Sequence, residues 1–304
     1  MSSDLRPLPE GTHVVTRMAL HTPGGEVTRP AGAVGVVTRV PADLAHAYRV
    51  RFPDGGEHAF LRRDLEIRKH HKDLDLPGQP DWTQWVQYRC VVGSRAFGLD
   101  TEESDTDRRG FYLPPADRHW SLWGVPEQLE NHDTQETYWE LQKFLTLALK
   151  ANPNVLECLY TPLVETASPV ALELLGMRDA FLSTLVYQTY NGYVLSQFKK
   201  LEADLRNHGE IRWKHAMHLI RLLLSGIAVM ESGEVMVQVG EHREALLAIK
   251  RGEVPWQEID AWRLALHARF DAALTGSRLP ERPDYERVNA FLLRARRQML
   301  EVQG

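Results

Sequence analysis

Residues 91–115 read VVGSRAFGLDTEESDTDRRGFYLPP, and the arrangement of small, hydroxyl and acidic residues in this stretch decides the fold. An apolar strand end runs into Gly93-Ser94, ten residues separate Ser94 from Asp105, and Asp107 follows at i+2. In an extended strand, side chains at i and i+2 point to one face about 6.5 Å apart, so Asp105 and Asp107 can chelate a common metal cluster. Hard carboxylate oxygens suit magnesium or manganese, and two such ions about 3.5 to 4 Å apart hold the attacking and leaving oxygens of a phosphoryl displacement. Gly93 has its own reason, since a missing side chain lets phosphate oxygens approach backbone N–H groups where the chain turns into a short helix. Ser94 adds a hydroxyl. Two roles fit Arg95: its planar fork of donors caps a triphosphate, or it pairs with a neighbouring acid.

Working outward toward the N-terminus, residues 10–68 read as short strands divided by turn chemistry, with Pro23-Gly24-Gly25 and Pro53-Asp54-Gly55-Gly56 as the punctuation. Asp54-Gly55 supplies the positive-φ positions of a tight hairpin, and Val34, Val36, Tyr48, Val50 and Phe52 alternate as a half-buried sheet does. The pattern resembles a five-stranded SH3-type barrel over residues 1–70. Such a module is either a docking element for protein or nucleic acid or a structural appendage. Residues 71–83 read as a linker, and the neighbouring His70-His71 pair lacks a correctly spaced third ligand, which makes it solvated surface.

Toward the C-terminus, residues 84–165 have the mixed texture of an α/β core, with strands at WVQYRCVV, around TDRRGFYL and before residue 139. From Tyr138 to Lys150, Leu141, Phe144, Leu145 and Ala148 form one stripe of a helix that Asn152-Pro153-Asn154 ends. Amphipathic helices are predicted near 168–184, 186–206, 213–231, 241–250, 256–274 and 284–301, so that 166–304 forms a helical domain completing a cleft. Asn154 and Glu157 suit a cap and capping box. The tryptophans show no regular platform spacing, which places most of them in the core, with Tyr190 or Trp213 as the candidates for stacking on a base.

Composition narrows the function classes. A chain of 304 residues suits about two domains, and 43% apolar with 25% charged residues is that of a folded globular protein. A net charge of −5 lacks the field of a general nucleic-acid binder and leaves room for a local basic groove. Cys90 and Cys158 are too few for a disulfide framework and read as core residues. The N-terminus MSSDLRPLPEGT has no basic segment followed by an apolar stretch, and no uncharged apolar run of about 18 residues occurs, so the expected compartment is the cytoplasm.

Such a groove has a candidate. Lys199 and Lys200 share a predicted helix with Tyr190, and Lys214, His218 and Arg221 share a face of the next. That face either binds triphosphate or a nucleic-acid backbone, or is solvated. His218 and Arg221, set among Met217, Leu219, Ile220 and Leu222, read as functional groups or members of a buried ion pair, because an unpaired charge there is costly.

The glycine-serine turn, spacer and Asp-x-Asp together resemble the nucleotidyltransferase signature of the DNA polymerase beta superfamily. The fuller stretch GSRAFGLDTEESDTDRRGFYLPP is similar to its RNA repair pathway branch, as are ANPNVLECLY at 151–160, TYNGYVLSQFKKLEADL at 189–205 and KHAMHLIRLLLSG at 214–226. The resemblance implies an α+β fold with a mixed sheet flanked by helices. It also implies transfer of a nucleoside monophosphate from a nucleoside triphosphate with divalent metal, Mg2+ or Mn2+, and release of pyrophosphate. Asp105 and Asp107 then stand at the metal-ligand positions, and Gly93 and Ser94 at the triphosphate turn. Thr106 and Arg108 depart from the apolar flanks usual in the superfamily, which suggests that this strand lies near an edge or an open cleft. A third carboxylate on a later strand is common in the superfamily. Among Glu130, Asp133, Glu136 and Glu140 the two candidates are Asp133 and Glu136, set against their being ordinary acids near a helix start. The acceptor stays open between an RNA end, a protein hydroxyl and a small molecule, and the rival class is a nucleotide or RNA sensor that uses the barrel to recruit partners.

Overall fold

A computed structural model describes residues 8–21, 27–41, 46–67, 80–102, 104–131, 133–208 and 211–301. The chain divides into two compact units, Met1–Pro80 and Asp81–Gly304.

In the first unit, strands β1 (His13–Thr16), β4 (Val34–Arg39), β5 (Tyr48–Arg51), β6 (Glu57–Phe60) and β7 (Leu65–Ile67) form an antiparallel sheet in the order β6-β5-β4-β1-β7, beside a short pair of β2 (Leu20–His21) and β3 (Val27–Arg29). The alternation expected in β5 holds, with Tyr48 and Val50 buried and Arg49 and Arg51 exposed. In β4 the phase is the reverse of the expectation: Gly35 and Val37 are buried, while Val34 and Val36 are half-buried. Gly35 lies against the neighbouring strand, where a Cβ would come within 2.5 Å of Cγ1 of Val50. The Asp54-Gly55 turn forms in part as expected: Gly55 takes the positive φ, +82°, and Asp54 does not, and the Phe52 N–H donates to the Gly56 carbonyl at 2.9 Å across a three-residue loop. Closure does not follow. Among the described residues β6 pairs with β5 and β7 with β1, no ladder joins β6 to β7, and the sheet is therefore open where a closed barrel was expected. Most of the expected linker, including His71, lies outside the described residues, as does His70.

The second unit is mixed α/β, built on the sheet β10 (Gln128–Asn131), β11 (Glu136–Glu140), β9 (Asp107–Tyr112), β8 (Val86–Val92) and β12 (Val164–Ala167), in that spatial order. β11 runs parallel to β9, and the other neighbours are antiparallel. β9 is thus the central strand and not an edge. Gly110 explains how β8 and β9 approach so closely, since a Cβ there would collide with the Tyr88 carbonyl.

Helices α1 (Gly93–Phe97), α2 (Ala116–Trp120), α3 (Leu141–Leu149), α4 (Pro153–Tyr160) and α5 (Pro169–Leu175) interleave with the strands. Then α6 (Leu185–His208), α7 (Trp213–Ser232), α8 (Arg243–Arg251), α9 (Trp256–Gly276) and α10 (Tyr285–Glu301) follow. One continuous apolar core runs from Tyr88 and Phe111 in the sheet through Phe144 and Ile220 to Phe291. The helix expected from Tyr138 starts at Leu141, because Tyr138 to Glu140 still pair in the sheet and the Glu140 carboxylate caps α3 by accepting from the Gln142 N–H at 2.8 Å. Its stripe of Leu141, Phe144, Leu145 and Ala148 is buried as expected. α4 is capped two residues earlier than predicted: the cap is Asn152, not Asn154, its Oδ1 accepting from the Asn154 N–H at 3.0 Å, and Pro153 takes the first helical position. Trp120 and Trp123 are 72% and 65% exposed, against the expectation that most tryptophans are core. Among the described residues no helix is long and apolar enough to cross a membrane.

Candidate functional site

The site forms where β8 ends. Val92 pairs in register with Asp107, the first residue of β9, so the turn at Gly93 and the Asp107 carboxylate stand side by side. Gly93 has φ +72°, and a Cβ built on it would lie 2.6 Å from Oδ2 of Asp107, so residue 93 lacks a side chain for reasons of both conformation and space. α1 lasts five residues and stops at Gly98 in the left-handed conformation, with the Leu99 N–H donating to the Ser94 carbonyl at 2.8 Å.

Asp105 lies two residues before β9, exposed, where the sequence placed both aspartates on one strand. Its loop is held by Arg95, whose Nη2 donates to the Ser104 carbonyl at 2.7 Å, with Nη1 3.9 Å from Asp100. Arg95 takes the second of its two expected roles, facing the loop.

Two adjoining cavities open here, sharing Gly93, Phe97, Asp107 and His218 as common wall. One, about 290 Å³, is lined by Ser94, Ser104, Asp105, Lys214 and Lys250. The other, about 360 Å³, is lined on the sheet side by Arg109, Thr137, Trp139, Gln128 and Glu130 and on the helix side by Asn154, Glu157 and Arg221. Strand alternation puts Asp107 and Arg109 on the same face of β9, in line with Thr137 and Trp139 of β11, which pair with Arg109 and Phe111.

Charge in the cleft is arranged with care for desolvation. Arg221 and Glu157 are 4% and 3% exposed, and Arg221 Nη1 donates to Glu157 Oε1 at 2.6 Å. The guanidinium carbon also lies 3.7 Å from the centre of the Phe97 ring. An isolated charge at that depth would cost several kcal/mol, on the order of the penalty for any unpaired buried ion. Burial, with Arg221, Lys214 and His215 nearby, pushes the His218 imidazole down to about 3, so His218 is neutral across the physiological range. Arg109 Nη2 stands 3.6 Å from Asp107 Oδ1, and its Nη1 donates to the carbonyls of Arg108 at 3.1 Å and Gln135 at 3.3 Å.

Among the described residues no three or more His, Cys, Asp or Glu side chains converge as a metal cluster. A pair of carboxylates beside serine hydroxyls suits a divalent ion that takes one or two protein carboxylates and fills its remaining positions from water and substrate phosphates, as magnesium does.

Of the residues predicted from sequence, Gly93, Ser94, Asp105, Asp107, Lys214, His218 and Arg221 come together around the cleft. Others do not. Tyr190 is fully buried inside α6, with no face left to stack on a base. Lys199 is exposed on α6 and lines neither cavity. Glu136 is on the far face of β11, where its Oε2 accepts from the Tyr138 hydroxyl at 3.1 Å, because it alternates with Thr137 on the cleft side. Asp133 belongs to the exposed β10–β11 turn, its N–H donating to Asn131 Oδ1 at 3.0 Å. The carboxylate that reaches the cleft from this region is Glu130 on β10. Sequence reasoning missed Arg109 although the i+2 rule that joined Asp105 to Asp107 extends to it. Lys250 on α8 carried no local signal.

Comparison with known proteins fits this geometry. The chain is 35% identical over 82 residues to the uncharacterized protein YcgL of Bacillus subtilis (strain 168), a match covering 26% of this chain and 32% of that protein. No solved structure matches. The family model RlaP, described as RNA repair pathway DNA polymerase beta family, matches residues 65–294. With three quarters of its length under that match and the glycine turn and aspartates inside it, the chain belongs to the RNA repair pathway DNA polymerase beta family.

Proposed function

We propose that the protein is a metal-dependent nucleotidyltransferase that moves a nucleoside monophosphate from a nucleoside triphosphate to an acceptor hydroxyl, with an RNA end as the acceptor and pyrophosphate as the leaving group. The observation that carries the reading is the meeting of Asp105, Asp107, Gly93 and Ser94 on one cavity whose remaining charges, Lys214 and Lys250, are cationic.

Asp105 and Asp107 would hold Mg2+ or Mn2+, which when bound would supply charge neutralisation at the transferred phosphoryl group. Ser94 and the backbone at Gly93 orient the leaving pyrophosphate, and Lys214 and Lys250 balance its charge. Asp107 is common to both cavities, so the triphosphate on the Ser94 side and the acceptor on the Arg109 side meet at its carboxylate. The acceptor hydroxyl would attack the α-phosphorus in line as the bond to pyrophosphate breaks, with its proton passing to solvent water.

Triphosphates labelled at the α-phosphate, incubated with RNA, protein and small-molecule acceptors in magnesium or manganese, test the reading. Label is expected on RNA with the native chain and on nothing with Asp105→Asn or Asp107→Asn. Metal-independent triphosphate binding that survives both substitutions would instead establish a sensor.

A further inference from the structure

We infer that Arg109 grips a phosphodiester of the acceptor strand, which makes it the residue that admits a nucleic-acid end in preference to a neutral hydroxyl compound. The inference rests on the transferase reading above and assigns the second cavity within it.

Cations stand on both sides of Asp107. On the Ser94 side stand Lys214 and Lys250, matched to a polyphosphate. On the opposite side, two guanidinium groups and the carboxylates of Glu130 and Glu157 line the cavity of about 360 Å³, and the two guanidinium groups differ in what they are doing. Arg221 is committed: it is 4% exposed and bonded to Glu157 at 2.6 Å. Arg109 is not. Its side chain is 26% exposed, Nη1 is tied to two backbone carbonyls that fix its position, and Nη2 faces Asp107 at 3.6 Å, beyond hydrogen-bond length. A divalent ion taking the Asp107 carboxylate removes the nearest counter-charge and leaves that edge of the fork facing the cavity. A guanidinium so placed calls for an anion with two accessible oxygens.

The chemistry of the candidates then discriminates. A serine, threonine or tyrosine hydroxyl of a protein brings no obligatory anion, and neither does a neutral small molecule. The terminal nucleotide of a strand brings both the hydroxyl and, one linkage away, a phosphodiester. The cavity, about 360 Å³, is of nucleotide scale.

The experiment measures single-stranded RNA binding by fluorescence anisotropy over a range of salt, together with triphosphate binding in magnesium, for the native full-length chain, Arg109→Ala and Arg109→Lys. For Arg109→Ala, RNA binding is expected to weaken about ten- to a hundredfold, and the salt slope to fall by about 0.7, the loss of one phosphate contact on a single strand. At saturating magnesium, where the loss of Arg109 beside Asp107 no longer limits ion binding, triphosphate binding should stay within about twofold, because Arg109 does not line that cavity. Arg109→Lys, which keeps the point charge and loses the fork, should retain the salt slope and fall between the other two in affinity. Thermal melting of each variant separates lost contacts from lost fold. Equal loss of RNA and triphosphate binding overturns the inference by moving Arg109 to the nucleotide side. A native chain that binds triphosphate but no RNA, or transfers only to protein, overturns it while leaving the triphosphate site standing. Failure to bind metal and triphosphate removes the underlying reading, a different result.

Discussion

A methyl group on residue 93 would lie 2.6 Å from Oδ2 of Asp107, closer than any carbon-oxygen contact tolerates, and the backbone there is in the left-handed region at φ +72°. Gly93→Ala therefore displaces the carboxylate or the turn. Strain from the positive φ costs on the order of 1 kcal/mol, whereas loss of Asp107 from its position removes half of the ion-binding pair. Isothermal titration with magnesium and a triphosphate is expected to show binding weakened by about tenfold or more, one order of magnitude per 1.4 kcal/mol, with a small change in melting temperature. A large stability loss with intact binding would contradict the assignment.

Glu157→Ala leaves Arg221 charged, buried and unpaired, and should cost about 3 to 5 kcal/mol in urea unfolding. Replacing both partners, with Glu157→Leu and Arg221→Met, should recover most of that loss, since the pair as a whole has to offset its own desolvation. A double variant no more stable than Glu157→Ala would show that the pair itself, and not the abandoned charge, carries the stability.

His218 sets a pH dependence whose sign follows from its depressed pKa. Folded His218 titrates near 3 because it is buried beside Arg221 and Lys214, while in the unfolded chain it titrates near the ordinary 6.5. Between those values the unfolded chain holds one more proton, so stability is full above about pH 6.5 and falls on acidification, by about 1.4 kcal/mol per pH unit for this one group. His119 and His267, also lowered chiefly by burial, act in the same direction. His218→Gln should flatten the profile between pH 4 and 6, measured by urea midpoints across that range. A slope unchanged by the substitution refutes the desolvation account.

Arg95 is a positioning residue for Asp105, through the Ser104 carbonyl at 2.7 Å. Arg95→Ala should raise the magnesium concentration needed for half-maximal triphosphate binding severalfold and leave saturated binding near the native value, whereas Asp105→Asn should lower saturated binding too. A change in saturated affinity without a shift in metal requirement would place Arg95 on the triphosphate itself.

Gly93, Ser94, Asp105 and Asp107 were legible because fifteen consecutive residues carry them, and the spacing of a turn and a strand start is a local property. The helical face of Lys214, His218 and Arg221 was legible by the same kind of rule. Residues that depend on strand phase were not. Glu136 and Thr137 are neighbours, and which of them faces the cleft is set by the parallel pairing of β11 with β9, a relation no short window contains. Likewise Val36 and Val37 exchange roles in β4, which lies against Val50 across the sheet. Glu157 reads locally as part of a helix start. Its partner is 64 residues away, so its work as the counter-ion of Arg221 appears once α4 and α7 are folded.

Because Val92 and Asp107 occupy one rung of an antiparallel ladder, the gap between the glycine bend and the acid is dictated by main-chain pairing in the middle of the sheet. Drift in the surrounding helices can reshape what enters on either side without altering that gap. A scaffold built this way lets the walls of the cleft diverge while the spacing of Gly93 and Asp107 stays put.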